Sequence, residues 1–296
     1  MTPLEEAELA GRRVLLKRED VHELGSFKWR GALPALEEYR RRGAETVITA
    51  STGNHGAATA WAAERLGMRA VVFASEGASR TKLELIERLG AEVRQVGADF
   101  DEAKAEAERF ATETGVLFVD GLEREQYEGY TTIADEILAQ AEEVPAAVVV
   151  PVGNGALLGG VGLGICRQRP EIERVGVVPK EAPCMALAWE AGEPVECDRC
   201  DTFADGLAVR VAIPVAVEAL GEVASRMLQV SERAIARAVG AYAAAGIRVE
   251  GAAAAALAAV PQLDDLADPL VLVVTGRNVD DAVFTRALEA PESFPD

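Results

Sequence analysis

The chain has 296 residues and a formal charge of −19, from 49 acidic and 30 basic side chains. That length builds one large domain or two smaller lobes, with a core that needs neither disulfides nor metal. The acidity excludes the basic face of a nucleic-acid binder, and no apolar run reaches the about 20 residues of a membrane-spanning helix.

In chain order, residues 13–18 (RVLLKR) predict a strand and residues 27–42 a helix. Residues 46–50 (TVITA) are a β-branched run and predict a buried parallel strand. They lead into Ser51, Thr52, Gly53, Asn54, His55 and Gly56, then an Ala-rich helix to Leu66 that Gly67 closes. Residues 69–73, 92–96 and 116–119 predict further strands, and residues 80–89 and 100–114 the helices between them. Residues 130–142 predict a helix and residues 146–151 a buried strand that runs into a glycine loop. Residues 174–178 predict a strand, 183–207 an irregular stretch, 231–245 and 251–260 helices, and 270–274 the last strand. Strands alternating with helices through short loops predict α/β architecture with parallel sheets covered on both faces. The first six residues, MTPLEE, have neither a basic region nor an apolar run, so they do not read as a signal peptide and the expected compartment is cytoplasmic.

Four stretches can carry chemistry. Lysine is scarce, occurring only at Lys17, Lys28, Lys82, Lys104 and Lys180. Lys28 lies in Gly25-Ser26-Phe27-Lys28-Trp29-Arg30-Gly31-Ala32, just before a helical pattern. Only lysine among the cationic residues can lose its proton and attack a carbonyl carbon. Ser26 is placed to cap that helix, which puts Lys28 in the first turn, where the positive helix end opposes an ammonium. The second stretch is Gly153, Asn154, Gly155, Ala156 and Leu157, a strand-to-helix turn. Such a turn either cradles a phosphate with backbone amides or is a plain tight turn. No Lys-Ser or Lys-Thr follows it, so it is not a Walker loop. The third, Ser51 to Gly56, offers hydroxyls, an amide and helix-start amides that suit a small carboxylate, or an ordinary N-cap. The fourth is Thr275, just beyond the last strand, where ligands of open α/β sheets sit.

The cysteines are Cys166, Cys184, Cys197 and Cys200. Cys197 and Cys200 form a lone CxxC with no second pair at zinc spacing and neither His22 nor His55 near in sequence. They are read as plain thiols beside a loop, and no metal site is expected.

Taken together and in this order, Lys17-Arg18-Glu19-Asp20 and Gly25 to Ala32 resemble the lysine motif of the fold type II (tryptophan synthase β) pyridoxal-phosphate enzymes. The serine/threonine dehydratase branch is the most similar. Ser51 to Gly56 resembles the family's substrate-carboxylate loop, with Asn54 beside the cofactor's hydroxyl. Gly153 to Leu157 resembles its phosphate loop, and Ala204-Asp205-Gly206-Leu207-Ala208-Val209 the dehydratases' ADG segment. Glu250-Gly251-Ala252 resembles the segment before their late helix. Thr275 falls where the family places a hydroxyl that meets the pyridine nitrogen. The resemblance spans residues 2–278.

The resemblance implies two open doubly wound parallel-sheet lobes, with pyridoxal 5'-phosphate in the cleft between them. Residues 1–47 and 126–296 are the expected cofactor domain and 48–125 the mobile substrate domain. It implies Lys28 as cofactor anchor and catalytic base, and Phe27, Asn54, Gly153, Asn154, Gly155, Ala156, Leu157 and Thr275 as cofactor residues. Ser51, Thr52, Gly53, Asn54 and His55 are the implied carboxylate holders. The implied reaction is dehydration and deamination of a β-hydroxy amino acid such as L-threonine or L-serine, by a cytoplasmic homodimer.

The departures favour other readings in part. Asn154 and Ala156 stand where dehydratases usually carry glycine, and Asn154 with Thr275 resembles threonine synthases. A β- or γ-replacement enzyme is therefore the first alternative, although Trp29 stands where a threonine synthase would have Asp. A non-catalytic amino-acid or cofactor-binding protein is the second. Thr52 replaces the serine that serves the opposite face in serine racemases. Val178 and Cys184 replace the Glu and Asp of the metal-binding members, so no divalent cation is expected there. No regulatory domain is expected after the core.

Overall fold

A computed structural model describes residues 1–78 and 80–296, without the side chain of Thr81. The strands are β1 (Leu4–Leu9), β2 (Arg12–Arg18), β3 (Thr46–Ala50), β4 (Arg69–Ala74), β5 (Glu92–Gln95), β6 (Leu117–Phe118), β7 (Ala147–Pro151), β8 (Glu173–Pro179), β9 (Arg226–Val230) and β10 (Leu270–Val274). The helices are α1 (Trp29–Arg41), α2 (Asn54–Leu66), α3 (Arg80–Arg88), α4 (Phe100–Thr114), α5 (Arg124–Gln140), α6 (Ala156–Gln168), α7 (Cys184–Ala191), α8 (Pro214–Val223), α9 (Glu232–Ala244), α10 (Gly251–Ala258) and α11 (Asp281–Glu289). By compactness the chain divides into Met1–Phe27 with Tyr130–Asp296, and Lys28–Gly129. Residues 28–47 thus group with the second unit.

The first unit holds a sheet in the order β1-β2-β10-β7-β8-β9. Five of its strands are parallel, and β7 and β10 at its centre are apolar and buried at every position, as coverage on both faces requires. Val14, Leu16, Val149, Val175, Val177, Leu270 and Leu272 turn to a face covered by α9 and the Ala-rich α10. Gly176 faces the other way, and a Cβ there would meet Leu158 of α6 at 2.8 Å. Helices therefore cover both faces, the doubly wound arrangement read from the pattern.

Strand β1 is a departure. It pairs antiparallel with β2, from Leu4 opposite Lys17 to Leu9 opposite Arg12, so this sheet is mixed. Its sequence, LEEAEL, shows no clean alternation. Three glutamates on an outer strand suit an edge that must not pair with another chain.

In the second unit the order is β5-β4-β3-β6, all parallel. Ile48, Ala50, Val71 and Phe73 pack on Ala107 and Ala111 of α4. The Asp99 carboxylate accepts the Glu102 N–H at 2.9 Å and sets the start of that helix.

Other local readings shift. The stretch 183–207 is not wholly irregular, because Cys184–Ala191 is helical. Helix α5 starts at Arg124 rather than at 130. Helix α8, strand β9 and helix α11 were not read from the pattern.

Candidate active site

The lysine segment is held by long-range backbone pairing. The Phe27 N–H donates to the Thr275 carbonyl at 3.0 Å, and the Arg277 N–H donates to the Gly25 carbonyl at 2.9 Å. Ser26 and Gly276 form an antiparallel bridge between them. The Asn278 side-chain amide donates to the Leu24 carbonyl at 2.7 Å. This pairing corrects the expected cap. Helix α1 opens at Trp29, Lys28 occupies the N-cap position, and no side chain caps it. Ser26 lies two residues before the N-cap position, in the bridge to Gly276. Phe27 stacks at 5.2 Å on the buried Tyr130 ring, which anchors the residue before Lys28.

Thr275 ends this pairing with a side chain that is 3% exposed, and its Oγ1 has no hydrogen-bond partner among the described residues. Ser26 Oγ is likewise buried and without a partner. A buried hydroxyl without a partner is destabilising, and such groups commonly serve a ligand.

The glycine loop lies in the same unit. Strand β7 ends at Pro151, and the Val152 N–H donates to the Val177 carbonyl at 2.8 Å. A Cβ on Gly153 would stand 2.4 Å from the Gly206 carbonyl oxygen, so the loop and the ADG segment touch backbone to backbone. Gly155 has φ of 95° and precedes the first residue of α6, a conformation that side chains resist. Asn154 Oδ1 accepts the Ala156 N–H at 3.2 Å, an Asx turn that shapes the helix entry. This gives Asn154 a structural use at a position usually held by glycine. The Leu157 and Leu158 amides stand in the first turn of α6, where a helix supplies no acceptor and carries its positive end.

Lys28 and the Ser51–His55 loop belong to the second unit. Trp29 packs edge-on against Trp61 of α2 at 6.3 Å, which joins the start of α1 to the helix behind the loop. Ser51 Oγ accepts the Gly53 N–H at 3.2 Å. Gly56 lies so close that a Cβ would stand 2.0 Å from the Ser51 carbonyl oxygen. Gly56 was in the sequence motif, but this close approach is what requires glycine there. The first turn of α2 presents amides suited to a carboxylate.

His55 is the second group of interest in this unit. Its Nε2 lies 3.1 Å from the Val119 carbonyl, which also accepts the Thr49 hydroxyl at 2.8 Å. Burial, then the nearby Lys28 ammonium, pushes its pKa down from 6.5 to about 4. His55 is therefore neutral at pH 7, with its proton on Nε2, since a carbonyl only accepts. Thr49 and Val119 were absent from the sequence reading, because a carbonyl contact across 64 residues leaves no local pattern.

A depressed native pKa means that the unfolded chain binds more protons between pH 6.5 and 4. The stabilisation is complete above pH 6.5 and is lost as pH falls through 4. The loss is expected to reach roughly 3 kcal/mol for this residue. Urea unfolding of wild type and His55→Gln across this window checks it. Parallel curves for the two would show that His55 is not held neutral.

The residues fit pyridoxal phosphate on structural grounds. A buried Thr275 hydroxyl without a partner among the described residues would suit a ring nitrogen, and the first-turn amides of α6 beyond Gly153 and Gly155 would suit a phosphate. The family model for pyridoxal-phosphate dependent enzymes matches residues 1–276. The biosynthetic L-threonine dehydratase of Pasteurella multocida is 36% identical over 71% of the chain, which spans 42% of that relative's length. The L-threonine ammonia-lyase of Thermotoga maritima is 34% identical over 95% of the chain and 71% of its own length. The solved structure of processed threonine deaminase isoform 2 from Solanum lycopersicum matches 97% of the chain and 87% of its own, at a TM-score of 0.91 and 28% identity. A family match over residues 1–276, with a relative 34% identical along 95% of the chain, means that the chain belongs to the family of pyridoxal-phosphate dependent enzymes.

Proposed function

We propose that this chain is an ammonia-lyase that eliminates the β-hydroxyl of a small hydroxy-amino acid, L-threonine or L-serine, to give a 2-oxo acid and ammonia. The observation that carries the reading is the buried, unpartnered hydroxyl of Thr275, paired through its carbonyl with the residue before Lys28. A neutral hydroxyl does not hold a proton on a ring nitrogen as a carboxylate would. That favours prompt loss of a β-leaving group over a long-lived carbanion. The names of the dehydratase and ammonia-lyase relatives support the same class.

Pyridoxal phosphate, when bound, supplies the electron sink for the bond that breaks at Cα. Lys28 is the residue that anchors it and the base that takes the Cα proton. Gly153, Asn154, Gly155, Ala156 and Leu157 would hold its phosphate, and Phe27, Asn54 and Thr275 its ring. Ser51, Thr52, Gly53, Asn54 and His55 hold the substrate carboxylate at the start of α2. A neutral His55 contributes a positioned ring without competing with Lys28 for a proton. Orientation of the Cα–H bond toward Lys28 is the main service of the loop.

The test is a reaction of the cofactor-loaded protein with L-threonine and L-serine, following 2-oxo acid and ammonia together. Equal yields of both are expected with at least one substrate. Product only from a substrate with an external nucleophile, such as sulfide, would replace elimination with a replacement reaction. The proposed enzyme is a cytoplasmic homodimer acting on a small amino acid; a sedimentation mass of one chain would refute the dimer. Among the described residues, no helix is long and apolar enough to cross a membrane.

A further inference from the structure

Two thiols outside the site are held together by an unusual backbone arrangement. Cys184 opens α7 with no solvent exposure. Its thiol donates to the Val195 carbonyl at 3.3 Å and to the Arg210 carbonyl at 3.1 Å. These carbonyls lie on two segments joined by the bridge between Glu196 and Val211. The Ala212 N–H donates to the same Val195 carbonyl at 2.9 Å, and the Cys197 N–H to the same Arg210 carbonyl at 2.8 Å. The Cys184 thiol and the Cys197 amide thus converge on one oxygen. Burial, then the neighbouring Cys197 side chain, raises the pKa of Cys184 to about 11.

The CxxC was read as plain thiols beside a loop, whereas the fold brings the Cys184 thiol and the Cys197 amide to one carbonyl. Among the described residues, no group of three or more His, Cys, Asp or Glu side chains could hold a metal. The far loop of the same ribbon carries Gly206, whose carbonyl packs on Gly153. The pair therefore stands at the base of the ribbon that touches the phosphate-holding loop.

We infer that Cys184 and Cys197 are a modification site: a dithiol that closes to an intramolecular disulfide by exchange with a small-molecule disulfide. Cys197 is partly exposed and reacts first. Its thiolate attacks one sulfur of oxidised glutathione, the glutathione S–S bond breaks, and one glutathione thiolate leaves. Cys184 attacks the Cys197 sulfur and expels the second glutathione thiolate, which takes up the Cys184 proton as it leaves. The protein loses two thiol protons and two electrons, and one glutathione disulfide becomes two thiols.

The test uses the intact, cofactor-loaded protein exposed to oxidised glutathione, then alkylated, digested and analysed by mass. A peptide pair cross-linked between Cys184 and Cys197 is expected, reversible by dithiothreitol and unchanged in Cys200→Ser. Cys184→Ser, which keeps the hydrogen-bond donor, should instead hold a lasting glutathione adduct on Cys197. A link between Cys197 and Cys200, a lasting adduct on wild-type Cys197, or no reaction at Cys197 would each overturn the inference. Neither outcome depends on catalysis.

Discussion

Replacing Lys28 with alanine is expected to lower turnover of the hydroxy-amino acid by roughly three to four orders of magnitude. In the proposed mechanism the loss combines two roles, since the same amine would anchor the cofactor and take the Cα proton. Lys28 stands at the N-cap position of α1, one residue beyond a segment pinned to the end of β10. Alanine leaves that backbone pairing intact, so the fold should persist by circular dichroism. The glycine loop should still bind the cofactor non-covalently. Borohydride reduction should then leave no cofactor on the denatured variant, whereas it labels the Lys28 peptide of wild type. Lys28→Arg should not rescue the rate, because a guanidinium does not give up its proton. A variant that keeps its rate and its covalent label would remove Lys28 from the mechanism.

Replacing Lys17 with methionine is expected to destabilise the first unit by about 3–5 kcal/mol. Lys17 is fully buried on β2, and its ammonium donates to Glu136 at 2.5 Å and to the Thr2 carbonyl at 2.6 Å. Glu136 also takes the Thr2 N–H at 3.0 Å, and the Thr2 hydroxyl reaches the buried Glu19 at 2.5 Å. Removing the cation leaves a largely buried carboxylate without its main counter-charge. A shift of the urea midpoint at constant slope measures the effect. Lys17→Met combined with Glu136→Leu should recover much of the loss, because a well-packed apolar pair replaces a buried ion pair at little net penalty. A single variant as stable as wild type would show that the network does not hold the N-terminal strand.

The fold class was legible in the sequence because burial leaves a local signature. A strand covered on both faces must be apolar at every central position, as in Val148, Val149 and Val150. A tight strand-to-helix turn needs glycine where φ is positive, and that was read at Gly155. The lysine motif was legible because this chain otherwise uses arginine for positive charge. Relations between distant segments were not legible. Ser26 has the local chemistry of a helix cap, yet a partner 250 positions away claims its backbone. Strand β1 has an unremarkable glutamate-rich sequence and becomes a strand only because β2 offers it a free edge.

The sequence by itself determined the architecture of alternating strands and helices and the glycine turn between β7 and α6. Each depends on side-chain period or on backbone freedom within a few residues. Only the tertiary structure decided that Ser26 is not a cap, that Gly56 must admit the Ser51 carbonyl, and that His55 is neutral beside Lys28. It also decided that the Cys184 thiol and the Cys197 amide share the Arg210 carbonyl. These features arise from hydrogen bonds, close backbone approaches and desolvation between segments distant in sequence. Such interactions depend on where the folded chain returns to itself, which no local pattern of residues records.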